Sequence, residues 1–141
     1  MRLALERGDL ASAAAIALRI PARGEGWRYA DAAAGAMYEV WQAALRSKDP
    51  SADGHRDRCA ELCSRAVDLL RAMPTGGDEV WTLIPLAKNR VRLALSLHDR
   101  GAALPDDLAP ALETLKAWRE EVHANLWDEA LFRAGLALLA R

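Results

Sequence analysis

The sequence predicts an all-α fold, arranged as a single-domain helical bundle or a short array of helical hairpins with five to seven helices. Alanine supplies 30 of the 141 residues, whereas there are only five Val, three Ile and three Thr, so helix propensity is high and strand propensity is low. No stretch alternates apolar and polar residues over a useful length, as a half-buried strand does. The chain length suits one domain that spans residues 1–141.

The composition narrows the class of protein. Apolar residues make up 52% and charged residues 28%, which is typical of a globular chain rather than a disordered one. The net charge of −1 gives the whole molecule no attraction for a polyanion. No stretch approaches the roughly 18–20 uninterrupted apolar residues of a membrane span, so no membrane partner is expected. Two cysteines are too few for a disulfide scaffold, which predicts reduced thiols and a cytoplasmic location.

Turn and cap residues divide the first half of the chain into helices. Gly8 ends a short first helix, and Asp9 is a favourable N-cap for a second helix over residues 10–20. A third helix is predicted over residues 27–47, followed by the loop "SKDPSADG" and a fourth helix over residues 55–72. The spacing of apolar residues by three and four in these segments predicts one buried face on each helix.

The second half begins after the break "MPTGGDE". A helix is predicted to begin near Pro85, because proline is tolerated in a first turn, and to end at residue 100. Its apolar residues spread over about 200° of the circumference, which indicates a central helix with neighbours on most sides. Asp107 is the expected cap of a helix over residues 108–122, and Asn125 marks an expected break before a last helical segment.

Residue types that carry chemistry do not assemble into a catalytic motif. The three histidines, at positions 55, 98 and 123, lie in no recognised nucleophile or phosphate-binding pattern. His55, Cys59 and Cys63 are spaced by four and are all possible zinc ligands. Three ligands from one straight helix rise about 6 Å per step and rarely meet at one ion, so the cysteines are interpreted as core residues. The sequence therefore predicts no catalytic residue, no metal, no cofactor and no enzymatic activity.

Five tryptophans are a high number for this length. Trp41 and Trp118 fall on predicted inner faces, whereas Trp81 and Trp127 flank breaks between helices. Large aromatic side chains at such positions either fill helix junctions or anchor a partner protein. Trp81 and Trp127 are the predicted partner-binding residues.

A cluster of basic residues supports an alternative interpretation. Lys88, Arg90, Arg92 and Arg100 lie on or near one face of the predicted central helix, and binding to a phosphate backbone requires such a surface but no sequence motif. Arg90 falls among apolar positions, where it needs a carboxylate partner or a route to solvent. These four residues are the predicted contacts if the partner is a nucleic acid.

Two stretches resemble known families. "ERGDLASAAAIALRIP" resembles one tetratricopeptide hairpin over roughly 20 residues, although no period near 34 residues recurs; that resemblance implies binding of a peptide or protein on a concave helical surface. "NRVRLALSLHDRGAALPDDLAPALETLKAW" is similar to the small helical subunit of class 1 CRISPR effector complexes. This second resemblance implies a non-catalytic subunit that contacts guide RNA or displaced DNA through basic residues.

These observations favour a non-catalytic helical interaction module, or a small subunit of a larger assembly, that binds a protein partner. The alternative is a small subunit of a ribonucleoprotein that binds a nucleic-acid backbone through the basic helix face.

Overall fold

A computed structural model describes residues 2–20, 26–73, 80–121 and 126–141. Seven α-helices and no strand occur in these residues, which confirms the all-α prediction. The helices, in chain order, are α1 (Arg2–Glu6), α2 (Leu10–Arg19), α3 (Trp27–Arg46), α4 (Ala52–Arg71), α5 (Val80–Asp99), α6 (Leu108–Trp118) and α7 (Glu129–Leu139).

The chain forms two compact units, Met1–Ala66 and Val67–Arg141, and their boundary falls within α4. We call them the N-terminal and the C-terminal unit. The single domain over residues 1–141 stays a prediction.

The N-terminal unit begins with a tight turn between α1 and α2. Gly8 has a φ of +73°, a conformation that glycine adopts without a steric penalty. The Asp9 side chain accepts a hydrogen bond from the backbone N–H of Ser12 at 3.1 Å. The glycine stop and the aspartate cap are therefore as the sequence predicts.

Small side chains dominate the buried faces in the N-terminal unit, where α2 packs against α1 and α3. The buried alanines of α2 and α3 are Ala13, Ala14, Ala17, Ala30, Ala33, Ala34 and Ala44. Met37, Val40 and Trp41 supply the larger buried groups of α3. Leu45 is 41% exposed whereas Ala44 is buried, because position 45 lies about 80° around the helix from Met37.

In the C-terminal unit α5 packs against both α6 and α7, and α6 also packs against α7. Buried residues of α5 lie at positions all around its circumference, from Ile84 and Leu86 to Asn89, Arg92 and Ser96, as expected for the central helix of a unit.

The prediction that this helix begins near Pro85 is wrong, since α5 begins at Val80 and holds Pro85 inside it. A proline within a helix removes one intrahelical hydrogen bond, which the apolar residues around it compensate by burial. The amide of Asn89 also donates to the Pro85 carbonyl oxygen at 2.9 Å.

Helix α6 is shorter than expected, and α7 has a different N-cap from the one expected. The N-cap of α6 is Asp107, but its side chain makes no capping hydrogen bond, and the helix ends at Trp118 rather than near residue 122. The break before the last helix is confirmed, and the cap of α7 is Asp128, which accepts from the backbone N–H of Leu131 at 3.0 Å. Asn125, the residue expected at this break, lies outside the described residues.

Candidate functional site

Trp81, one of the two predicted anchors, lies in the first turn of α5 and is 61% exposed. It is the most exposed large apolar side chain in the part of the chain that the structure describes. Pro85 lacks the N–H that would normally pair with the Trp81 carbonyl oxygen four residues earlier. The first turn of α5 therefore presents an exposed indole, one turn before a buried proline.

Trp127, the other predicted anchor, is half-buried and already engaged by its own unit. Its indole N–H donates to Glu129 Oε2 at 2.9 Å, and its ring centre lies 5.3 Å from that of Phe132. The Arg119 guanidinium lies 5.9 Å from the Trp127 ring centre and 5.5 Å from that of Phe132. These contacts tie the end of α6 to the start of α7, which is the helix-junction role that the sequence also allowed.

Glu129 is the acceptor at the centre of this cluster. Besides Trp127, it pairs with Arg119 and with Arg133, whose Nε lies 3.3 Å from Oε1. The hydrogen bond from Trp127 is the main cause that lowers the pKa of the Glu129 carboxyl; Arg133 and Arg119 lower it further, while partial desolvation opposes them. Glu129 is therefore an ionised carboxylate near neutral pH, held by three donors.

Three of the four basic residues predicted for nucleic-acid binding contact their own unit. The Lys88 ammonium donates to the Leu126 carbonyl oxygen at 3.2 Å. Arg92 is 6% exposed, and its Nη1 donates to Asn89 Oδ1 at 3.2 Å. Arg90 has the carboxylate partner that its position requires, because its Nε lies 3.4 Å from Asp107 Oδ2.

Arg100 is the one member of this set that is exposed. The structure thus places Lys88, Arg90 and Arg92 at helix contacts within the C-terminal unit, and the four residues do not share an open surface. Asp107, whose side chain was expected to cap α6, is the partner that holds Arg90.

The three possible zinc ligands do not face one common point. Cys59 and Cys63 are both completely buried free thiols with their sulfurs 3.8 Å apart, which confirms that they are core residues. His55 points elsewhere, since its Nε2 lies 3.0 Å from Ser51 Oγ. Among the described residues, no group of three or more His, Cys, Asp or Glu side chains is placed to hold a metal ion.

The contact between Ser51 and His55 is a feature that the sequence did not reveal, because the fourth helix was expected to begin at residue 55 and α4 instead begins at Ala52. Asp49 Oδ1 accepts from the Ser51 hydroxyl at 2.5 Å and from the Ser51 backbone N–H at 2.8 Å. These two bonds, the side-chain one first, lower the pKa of the Asp49 carboxyl. The sequence "DPS" carries the usual signal for such an aspartate turn.

This arrangement fixes the direction of the hydrogen bonds. A carboxylate only accepts, so the Ser51 hydroxyl gives its proton to Asp49, and Ser51 Oγ then accepts from the Nε2–H of His55. A histidine that donates to a serine does not activate it as a base does. These three residues form an aspartate turn before α4 that is joined through Ser51 to His55 in the first turn of the helix.

No helix among the described residues is long and apolar enough to cross a membrane. No protein-family model matches the chain, and neither a curated protein nor a solved structure does.

Proposed function

We propose that this protein is a non-catalytic helical interaction module, or a small subunit of a larger assembly, that binds a protein partner. The observation that carries the proposal is the 61% exposure of Trp81 on the first turn of α5. Tryptophan offers a large apolar surface together with an N–H donor, and it is among the residues that most often dominate the energy of protein interfaces.

The surroundings of Trp81 suit an anchor. Thr82 and Ile84, its near neighbours in α5, are buried, so the helix that carries the indole is fixed by packing in its own unit. A side chain presented on a rigid element loses little conformational freedom when a partner covers it.

The internal contacts of the basic residues favour a protein partner over the nucleic-acid alternative. Neutralising phosphates requires cations that can leave their present partners at little cost. Arg92 is buried, and Arg90 and Lys88 are each bound to a group from another segment of the chain. Trp127 also belongs to a network of its own unit, so Trp81 is the anchor on which the proposal rests.

A comparison of wild-type and Trp81→Ala protein in quantitative affinity purification from the native host tests the proposal. We expect the partner to be recovered with the wild type and reduced by about tenfold or more with Trp81→Ala, because truncating a central aromatic anchor typically costs about 2 kcal/mol or more. The variant should keep its helical circular dichroism, since the indole is mostly exposed.

Leu104→Ala is the matched control, because Leu104 is also an exposed large apolar residue of the C-terminal unit. The control should retain the partner. Equal recovery with Trp81→Ala and wild type, or equal loss with both variants, would remove Trp81 as the anchor.

A further inference from the structure

A hollow of about 470 Å³ lies in the N-terminal unit between α2, α3 and the start of α4. Met37 of α3 and Ala14 of α2 lie at this hollow, and Leu18 of α2 faces Gly54 and its neighbours of α4 across it. Its volume falls within the roughly 300–1,000 Å³ typical of binding pockets. The hollow and Trp81 belong to different units and share no residue, so a function of the hollow is independent of the function proposed for Trp81.

Helix α2, which lines one side of the hollow, also carries an exposed apolar face next to it. Ala11, Ala15 and Leu18 are exposed and lie within about 100° of Ala14 around the helix. They extend over two turns, about 10 Å along the axis. An apolar face on both sides of a helix indicates that a neighbour covers the outer side. Alanines on such a face allow another helix to approach closely, and Leu18 provides a larger contact.

Arg58 of α4 gives the hollow a positively charged edge. Arg58 is the charged side chain among the described residues that line the hollow, which include no Asp or Glu. The Arg58 side chain is 59% exposed, and its Nη1 lies 3.7 Å from Glu61 Oε2. An exposed pair at that distance contributes little, so the guanidinium can exchange Glu61 for a carboxylate of a partner.

A second hollow of about 430 Å³ in the same unit provides a comparison. It is lined by Leu5 and Leu10 together with Arg46 and Asp49, so it presents both signs of charge and discriminates less between partners. The hollow beside Leu18 is the one whose shape and charge specify an occupant.

We propose that the hollow beside Leu18 binds an amphipathic helical segment of another protein, which inserts an aliphatic side chain and places an Asp or Glu against Arg58. The aliphatic group covers Leu18, and the exposed alanines of α2 receive the backbone of the segment. A carboxylate next to a guanidinium forms a charge-assisted hydrogen bond and fixes the register of the segment. This is the groove mode of helix recognition, in which apolar anchors on one face provide most of the affinity.

A displayed library of short helix-forming peptides, selected on the purified full chain, tests this inference. We expect the enriched peptides to share an aliphatic residue with an Asp or Glu one turn away. Their Kd, measured by fluorescence anisotropy, should rise about tenfold or more with Leu18→Asp, because a carboxylate then lies in the apolar part of the groove. Arg58→Glu should weaken the acidic peptides and improve versions in which Lys replaces the acidic residue.

Ile16→Asp is the matched control, because Ile16 is an exposed aliphatic residue of α2 like Leu18, but lies about 160° away around the helix. It should leave the Kd unchanged. Circular dichroism of each variant establishes that the chain still folds.

Three outcomes overturn the inference: no enrichment of helix-forming peptides, enrichment of basic ones, or equal effects of Leu18→Asp and Ile16→Asp. None of them bears on Trp81, because Trp81 belongs to the other unit.

Discussion

The two units bury different kinds of side chain. In the N-terminal unit, alanines form most of the buried surface of α2 and much of that of α3. In the C-terminal unit, α6 and α7 bury larger groups, which are Leu108, Leu112, Leu115, Leu131, Phe132 and Leu138. Each large side chain removes more apolar area from water than an alanine does, whereas alanines bring helix axes closer together.

This difference determines how each unit responds to a change of volume. A leucine-rich core loses most when a side chain is shortened, because a cavity remains. An alanine-rich core loses most when a side chain is lengthened, because there is no free volume to receive it. Gly135 of α7 is a point in the C-terminal unit where added volume is expected to cost as much as in the alanine-rich core. A Cβ there would lie 2.7 Å from Leu112 Cδ2 and 2.9 Å from Val91 Cγ1, so the helices approach closely at this position.

The largest expected effect is that of Leu112→Ala in the C-terminal unit. Leu112 is buried and lies against Gly135, so its truncation should lower the free energy of unfolding by about 2–5 kcal/mol, measured by urea denaturation. Leu136→Ala, at an exposed position of α7, is the control and should have little effect.

Gly135→Ala sharpens this prediction through a double-mutant cycle. As a single substitution, Gly135→Ala should lower the free energy of unfolding by about 1–3 kcal/mol because of overpacking. This is expected even though alanine is normally favoured over glycine within a helix. In the Leu112→Ala background the clash with Leu112 is removed and only that with Val91 remains, so Gly135→Ala should lower the free energy of unfolding by less. Additive effects would contradict the close contact between Gly135 and Leu112.

Ala33→Leu is expected to have the next largest effect, and it tests the alanine-rich core. Ala33 is completely buried in α3, so the added atoms should force a rearrangement and destabilise the protein by about 1–3 kcal/mol in the same denaturation experiment. Ala11→Leu, at an exposed position of α2, is the matched control. A stabilised Ala33→Leu protein would mean that the N-terminal unit holds unfilled space, and the comparison between the units would fail.

The smallest expected effect is a loss of stability in acid. Hydrogen bonds from Ser12, first from its side chain and then from its backbone N–H, lower the pKa of Asp9 below its ordinary 3.8. The pKa of Glu129 is lowered below 4.5, mainly by Trp127. A carboxyl whose pKa is lower in the folded state stabilises the fold above its ordinary pKa, and the contribution is lost as the pH falls through the folded value. Thermal melts should therefore show a decrease in Tm below about pH 4.5.

Separate substitutions of Asp9 and Glu129 show which unit causes the loss of stability in acid. Asp9→Asn keeps a capping side chain without the titration, and Glu129→Gln removes the charge from the Trp127 cluster. Each variant should show a smaller decrease of Tm in acid than the wild type does. A wild-type profile that both substitutions leave unchanged would show that other carboxyls cause the acid loss.

Several features were predicted correctly because they depend on residues close together in the chain. The stop at Gly8 and the cap at Asp9 follow from one glycine and one short polar side chain. The burial of Cys59 and Cys63 follows from a spacing of four on one helix face. The all-α fold follows in the same way from composition and periodicity.

Other features depend on residues far apart in the chain, and the sequence alone did not reveal them. Pro85 lies inside α5, although the local rule places proline in a first turn. Trp81 and Trp127 have equivalent positions beside breaks, yet the first is exposed and the second is held by Arg119, Phe132 and Glu129.

The sequence by itself determined that the chain is helical, and that one helix stops at Gly8 and the next is capped by Asp9, because these properties depend on composition and on residues close together in the chain. Only the tertiary structure decided which basic side chains bind groups of the same chain, and where a hollow lies between helices. Lys88 meets Leu126 across 38 positions of the chain, and Arg90 meets Asp107. The hollow beside Leu18 combines three helices. Such pairings arise from the packing of whole helices, which no local pattern in a single sequence encodes.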